Sequence, residues 1–272
     1  RKDCRRMVVS GGDRHRPRSE ETGGMRMRTP FRIIGITLLM AALALAFVVP
    51  ASASLPDRTY RVTITNLTRG QPLTPVAVAT HRTSVDAFTV GEPASLGVKE
   101  IAENGNLEPF VSSLQGSSGV SEVVQGTFPL VPEGTPGAAM FPDSVTFEIH
   151  ATADARRLSW VSMLICTNDG FTGVDGLKLP VLVGESVTAG TAGYDAGTEI
   201  NTEDFADIVP PCQGLIGVSS GEAGTGVSNP ALAEGGVIHH HPGIQGGADL
   251  VPAVHGWDVD EPVAEITVER IA

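Results

Sequence analysis

Asp195 and Glu199 stand four residues apart in the stretch Ala192–Asn201, A-G-Y-D-A-G-T-E-I-N, with Gly197 between them. Glycine adopts backbone conformations closed to other residues, so a bend at Gly197 turns two carboxylates toward one point. Carboxylates that share a point repel unless a cation or a shared proton relieves them. Calcium is a suitable cation, because it accepts about six to eight oxygens from carboxylates, amides, carbonyls and water. Asp169 and Asn168, in the polar turn Cys166–Phe171, and Asn201 are the further oxygen donors in reach of such a site. The competing reading is a plain turn in which Asp195 accepts backbone N–H groups.

These residues need elements to position them. Tyr60–Leu67 alternates, with Tyr60, Val62, Ile64 and Asn66 on one face, and predicts a half-buried strand. Val76–Thr80, Gly119–Phe128 and Ser144–Ala151 also read as strands. In the last, Val145, Phe147, Ile149 and Ala151 are expected to point inward. Leu158–Ile165 is nearly all apolar and is the expected central strand, running straight into the Asn168-Asp169 turn. Leu177–Val183 leads toward the Asp195 loop, and Val263–Ile271 closes the chain as a strand paired with an earlier one. Ala94–Asn104 has helical spacing with Gly105 as its stop, and Leu107–Leu114 predicts a second short helix. The two helices are expected to cap the sandwich or cover an edge. Val209–Gly247 is rich in Gly, Ser and Pro and reads as one long loop. The sum is an all-β chain: an antiparallel β-sandwich with one or two short helices and long loops.

The N-terminal part reads differently. Residues 1–24 are arginine-rich, lack apolar periodicity and are set aside as a non-native leader, with Met25 or Met27 the expected start. Residues 25–53 carry a basic segment (Arg26, Arg28, Arg32), an apolar stretch Ile33–Val49 and the small-residue site Ala51-Ser52-Ala53, the pattern of a secretory signal cleaved near Ala53. An uncleaved membrane anchor is the alternative. Residues 54–272 form the expected domain, secreted, periplasmic or at the cell surface. Arg1–Arg32 holds ten of the 19 basic residues and four of the 31 acidic ones, so residues 54–272 keep 9 and 27, a net charge of −18. Such a chain repels nucleic acid and anionic lipid and attracts cations. Membrane contact is therefore expected only through calcium. Cys166 and Cys212 are the two cysteines of this part, and an oxidising compartment predicts a disulfide between them.

Three segments in order, L-T-P-V-A-V-A-T-H (Leu73–His81), G-E-P-A-S-L-G-V-K-E-I-A-E-N-G (Gly91–Gly105) and Y-D-A-G-T-E (Tyr194–Glu199), resemble the spondin N-terminal domain in its bacterial secreted form. H-P-G-I (His241–Ile244) and the C-terminal H-G-W-D-V-D-E-P-V-A-E-I-T-V-E-R-I are similar to that family as well. The resemblance implies a sandwich with C2-like topology and a calcium site at one end, with Asp195 and Glu199 as ligands. It also implies an adhesion or binding role toward an extracellular or cell-surface ligand. The animal members carry a third aspartate before a Trp. The dipeptide Ser159-Trp160 is the apparent match here, which removes that ligand and leaves Asn168 and Asp169 as its substitutes.

Other chemistry is thinly represented. There is no G-x-S-x-G elbow, no H-E-x-x-H and no phosphate-binding loop, so the chain does not read as an enzyme. His239-His240-His241 with His255 is the one cluster suited to zinc or copper, and it supports the alternative of an exported metal-dependent enzyme. Consecutive side chains in an extended segment point to opposite sides, which argues against all three histidines sharing one ion. A metal-free structural domain is the third possibility.

Overall fold

The computed structural model describes residues 57–272. The leader and signal segments expected over residues 1–53 lie outside the described residues.

Ten strands form two antiparallel sheets. They are β1 (Arg58–Asn66), β2 (Ala77–His81), β3 (Val120–Gln125), β4 (Ser144–Ala151), β5 (Arg157–Met163), β6 (Gly170–Lys178), β7 (Ser186–Thr191), β8 (Gly193–Asp195), β9 (His239–His240) and β10 (Ala264–Arg270). One sheet has the order β4-β1-β10-β7 and the other β3-β2-β5-β6-β8-β9. The expected all-β antiparallel sandwich is the observed class.

The alternation of β1 works as the sequence predicts. Tyr60, Val62 and Ile64 are buried and pack with Ile149 of β4 and Ile266 and Val268 of β10 against Val78, Leu158 and Trp160 of the other sheet. The six-stranded sheet is buried on its second face too. There Ala77, Ala79, Val161, Met163 and Phe171 pack beneath α1 (Leu96–Asn104), α2 (Glu108–Gln115) and α3 (Pro211–Ile216). Burial on both faces is why β5 reads as a nearly unbroken apolar run rather than an alternating one. It pairs with β2 on one side and β6 on the other, as a central strand must.

Three expectations change. The helices cover a face of the larger sheet instead of an edge, and there are four short α-helices, including α4 (Pro252–His255), rather than one or two. The long loop after Val209 contains α3 and β9. The segment Leu177–Val183, expected to lead toward the Asp195 loop, is divided: β6 spans Gly170–Lys178, and residues 179–185 form a turn before β7. Around α1 the reading holds closely. The Ser95 hydroxyl caps the first turn by accepting from the Val98 N–H, and Gly105 ends the helix in the left-handed conformation at φ 65°.

The strands have two poles. At one lie the start of β6, the end of β5 and the end of β8, with the loops after them. At the other lie the starts of β1, β5 and β7 and the ends of β2, β4, β6 and β10. Among the described residues no helix is long and apolar enough to cross a membrane.

Candidate functional site

Antiparallel pairing builds the first pole. β8 adds to β6 with Asp195 opposite Gly170, which sets Asp169 beside the D-A-G-T loop. The Ala196 N–H donates to the Asp169 carbonyl at 3.1 Å. One carboxylate oxygen of Asp169, Oδ2, accepts from the backbone N–H of Thr198 (2.7 Å), the N–H of Glu199 (3.0 Å) and the Thr198 hydroxyl (3.2 Å). The other, Oδ1, is buried with no partner. Burial, and then the nearby Asp195 charge, push the Asp169 carboxyl up to about 6 against the three donated hydrogen bonds.

Asp195 is fully buried as well. Its Oδ1 accepts from the Gly197 N–H (2.8 Å), the Asx-turn geometry anticipated as the competing reading, and its Oδ2 accepts from the Asn201 amide (2.7 Å). Asn168 is tied on both sides. Its Oδ1 accepts from the Glu203 N–H (3.2 Å) and its amide donates to the Thr202 hydroxyl (3.1 Å). The bend falls at Gly197 as expected, with φ 67°. A Cβ there would lie 2.6 Å from the backbone N and O of Val237. Gly197→Ala is therefore expected to cost about 2 kcal/mol from the left-handed backbone and the clash together, read as a lowered midpoint in urea.

Glu199 does not face Asp169 and Asp195 directly. Its Oε1 accepts from the Asn229 N–H (3.0 Å), and it lines a cavity of about 250 Å³ with Glu103, Asp207, Ser228 and Asn229. Burial first, and the Glu103 charge among lesser causes, raise its carboxyl to about 7. The structure thus sets Asp169 near Asp195, ties Asn168 to Thr202 and Glu203, and places Glu199 in the wall of the neighbouring cavity. Among the described residues no three His, Cys, Asp or Glu side chains converge as a ready-made metal cage.

Ser159 calls for a correction. It sits within β5 opposite Ala79 of β2, four residues before Met163. At about 3.3 Å per residue this puts it on the order of 13 Å down the strand from the end that leads to the Asn168-Asp169 turn. Its hydroxyl contacts His81 Nε2 (2.7 Å) and Asp175 Oδ1 (2.8 Å). The lack of an acid at Ser159 removes nothing from the loop end, where Asp169 itself stands next to Asp195.

The histidines differ in burial: His239 and His240 are exposed on β9, while His241 is buried. His241 Nδ1 accepts from the Gly243 N–H (2.9 Å), its Nε2 is buried without a partner, and its ring lies 5.1 Å from that of Trp257. Burial depresses His241 to about 4, against the charges of Asp195 and Glu203. His239 Nδ1 donates to the Val237 carbonyl (3.0 Å) and lies 3.7 Å from Asp195 Oδ1. His255 is also buried, with Nδ1 accepting from the Val251 N–H (2.9 Å), and burial lowers its pKa.

Two structural ties hold this end. Cys166 and Cys212 are joined as a disulfide, as the cysteine count predicts, and fix α3 to the start of the Asn168-Asp169 turn. The other tie, Glu203, has no signal in the sequence. It adopts φ 58°, and its carboxylate accepts the N–H groups of Gln245 and Gly247, both at 2.6 Å. An Asp or Asn at a left-handed position would have drawn notice, whereas a glutamate in N-T-E-D does not.

The fold and this loop end define a disulfide-bonded, two-sheet antiparallel β-sandwich module. The Spondin_N family model matches residues 65–204, more than half of the chain, and the chain belongs to that family. The family is one of non-enzymatic modules, and the disulfide fits an oxidising compartment. No curated protein matches the chain.

Proposed function

We propose that this chain is a secreted binding module, acting in adhesion at or outside the cell surface, whose loop end takes up calcium between Asp169 and Asp195. The observation that carries this reading is Asp169 Oδ1, a buried carboxylate oxygen without a donor, placed beside a second buried carboxylate. Leaving such an atom unpaired costs about 1–3 kcal/mol or more, since it belongs to a charged group. A calcium ion would satisfy it and offset the Asp169–Asp195 repulsion. The donors are hard oxygens, and calcium tolerates irregular sets completed by loop carbonyls and water. Asn168 would hold the turn that presents Asp169, or give its own amide oxygen. Glu199 would act as ligand only after its carboxylate leaves the Asn229 N–H. The ion's part is to lock the 166–170 and 195–205 loops together into one contact surface.

Titration calorimetry of the chain with calcium, magnesium and zinc tests this. Calcium is expected to bind at one site, and Asp169→Asn is expected to abolish the heat while leaving the circular dichroism spectrum unchanged. Absence of calcium heat in the native protein would defeat the proposal. It would favour the metal-free structural domain, which has its own support in the donors already placed on both oxygens of Asp195. An exported enzyme built on His239–His241 is less well supported, because among the described residues no three His, Cys, Asp or Glu side chains converge there.

A further inference from the structure

The cavity that Glu199 lines, about 250 Å³, takes its acids from three separate parts of the chain. Glu103 comes from the last turn of α1, Glu199 from the D-A-G-T-E loop and Asp207 from the turn after Glu203. All three carboxylates bond to one dipeptide, Ser228-Asn229. Glu103 Oε2 accepts from the Ser228 hydroxyl, Glu199 Oε1 from the Asn229 N–H (3.0 Å) and Asp207 Oδ1 from the Asn229 amide (3.5 Å). That shared partner brings acids distant in sequence to one cavity wall. Ala206, Val227 and Pro230 also line the cavity and are exposed, so it opens to solvent.

The charges here do not balance. Among the described residues Lys99 is the one basic side chain paired with any of the three acids, and it is taken up by Glu103 Oε2. It also donates to the Ser228 hydroxyl (3.2 Å). Glu100 adds a further negative charge beside Asn104, whose amide donates to it at 3.3 Å. Glu103 itself is 4% exposed, and its second oxygen, Oε1, is buried with no partner. A buried carboxylate oxygen without a donor is costly, and more acids than bases surround it. The missing partner is therefore a cation that carries hydrogen-bond donors.

The three acids line the cavity without closing on one point as a metal cage does. A guanidinium suits such a spread, since it is planar, offers five N–H donors and has no acceptor. Its bonds to carboxylates are charge-assisted and stronger than neutral ones. We propose that this cavity binds the guanidinium of an arginine residue in a partner polypeptide, with Glu103 Oε1 as the buried acceptor and Glu199 and Asp207 as the other two acids. The methylenes of such a side chain have Val209, Val227 and Pro230 to lie against. Free arginine carries the same group, but its α-carboxylate would meet the same surplus of acids. The site is separate from the Asp169–Asp195 pair, uses Glu199 where it stands on Asn229, and does not rest on the calcium reading.

The test is a nuclear magnetic resonance titration of the isotope-labelled protein, in a calcium chelator, with Nα-acetyl-arginine amide. Nα-acetyl-citrulline amide, of the same shape without the charge, and free arginine are the comparison probes. The arginine amide is expected to shift the amide signals of Glu103, Glu199, Ser228 and Asn229. Citrulline amide should bind on the order of tenfold more weakly, and free arginine more weakly than the amide. Glu103→Gln should weaken the arginine amide by about tenfold as well. Its amide oxygen can keep the bonds to Lys99 and Ser228 while the amide nitrogen takes the place of Oε1, so the thermal midpoint should not fall. Asp207→Asn, at a partly exposed position, is the second variant and should weaken binding without unfolding the chain. Equal binding of citrulline amide overturns the proposal, as do shifts spread over the acidic surface instead of these four residues. Binding that survives both substitutions overturns it too, and tighter binding of free arginine overturns the polypeptide as its source.

Discussion

Without calcium, the protein is expected to melt at a lower temperature at pH 8 than at pH 5. The sign follows from the two raised carboxyls, Asp169 at about 6 and Glu199 at about 7. Each holds its proton more tightly folded than unfolded. Their contribution to stability is full below the unfolded carboxyl range near pH 4 and is lost as pH rises through 6 and 7. A tenfold difference in proton affinity between the folded and unfolded chain corresponds to about 1.4 kcal/mol. Between pH 5 and 8 Asp169, with its folded value of about 6, then gives up about 1.4 kcal/mol, and Glu199 adds a further loss as pH rises toward 7. A thermal scan should show a fall of about 5–10 °C across this window for a domain of this size. Calcium at pH 8 should reverse it, since a ligand bound only by the folded state adds stability in proportion to the logarithm of its concentration over Kd. At pH 5 the ion should add much less, because protons compete for the same oxygens. Asp169→Asn separates the causes. Its amide oxygen can keep the Thr198 and Glu199 N–H bonds while the amide nitrogen sits where Oδ1 is orphaned. The variant is expected to be more stable than the calcium-free native protein at pH 8, with a flatter pH profile and no response to calcium. A native profile that rises from pH 5 to 8 in chelator would overturn the account.

Removing the disulfide is expected to have the largest effect on stability. Cys166 and Cys212 are 46 residues apart, and a loop of that length gives about 4 kcal/mol by chain-entropy reasoning. Cys166→Ser with Cys212→Ser should lower the melting temperature by roughly 8–16 °C. Position makes the effect more than a general one. The Cys166 N–H donates to Gln71 Oε1 at 2.5 Å, and the Gln71 amide donates back to the Cys166 carbonyl at 3.2 Å. The bridge therefore holds the first residue of the turn that presents Asn168 and Asp169. Calcium affinity in the double variant should fall along with stability, by calorimetry below its melting temperature. Unchanged affinity would mean that the Asp169 hydrogen bonds to Thr198 and Glu199 hold the turn without the bridge.

The strands that faced one core and water were legible in the sequence, because period-two alternation has a single physical cause. β1, β4 and β10 are of this kind. β5 was legible for the opposite reason: both its faces are buried and it is short. β6 escaped notice because F-T-G-V-D-G-L is broken by glycines, and one of them is demanded by packing. A Cβ at Gly173 would lie 2.1 Å from the Trp160 carbonyl oxygen. α3 and β9 were hidden in a Gly- and Pro-rich segment whose order comes from the disulfide and the Glu203 carboxylate, neither of which leaves a periodic trace. At the site, acid, amide and glycine types pointed to the right loops. Which way Glu199 turns could not be read, because it depends on Asn229, thirty residues further along the chain. The Ser159 match misled because a dipeptide carries no register, and only the pairing of β5 with β2 shows which part of the strand it occupies.

β1 and β10 lie side by side in the middle of the smaller sheet, Tyr60 opposite Arg270, with their outer ends at the same pole. A pull on both outer ends would therefore peel the pair apart one hydrogen bond at a time, instead of loading the whole ladder in shear. Tethered at both ends, the module would open like a zipper at low force. The first strands to part would be those of the smaller sheet, while the disulfide keeps the Asp169 turn bound to α3.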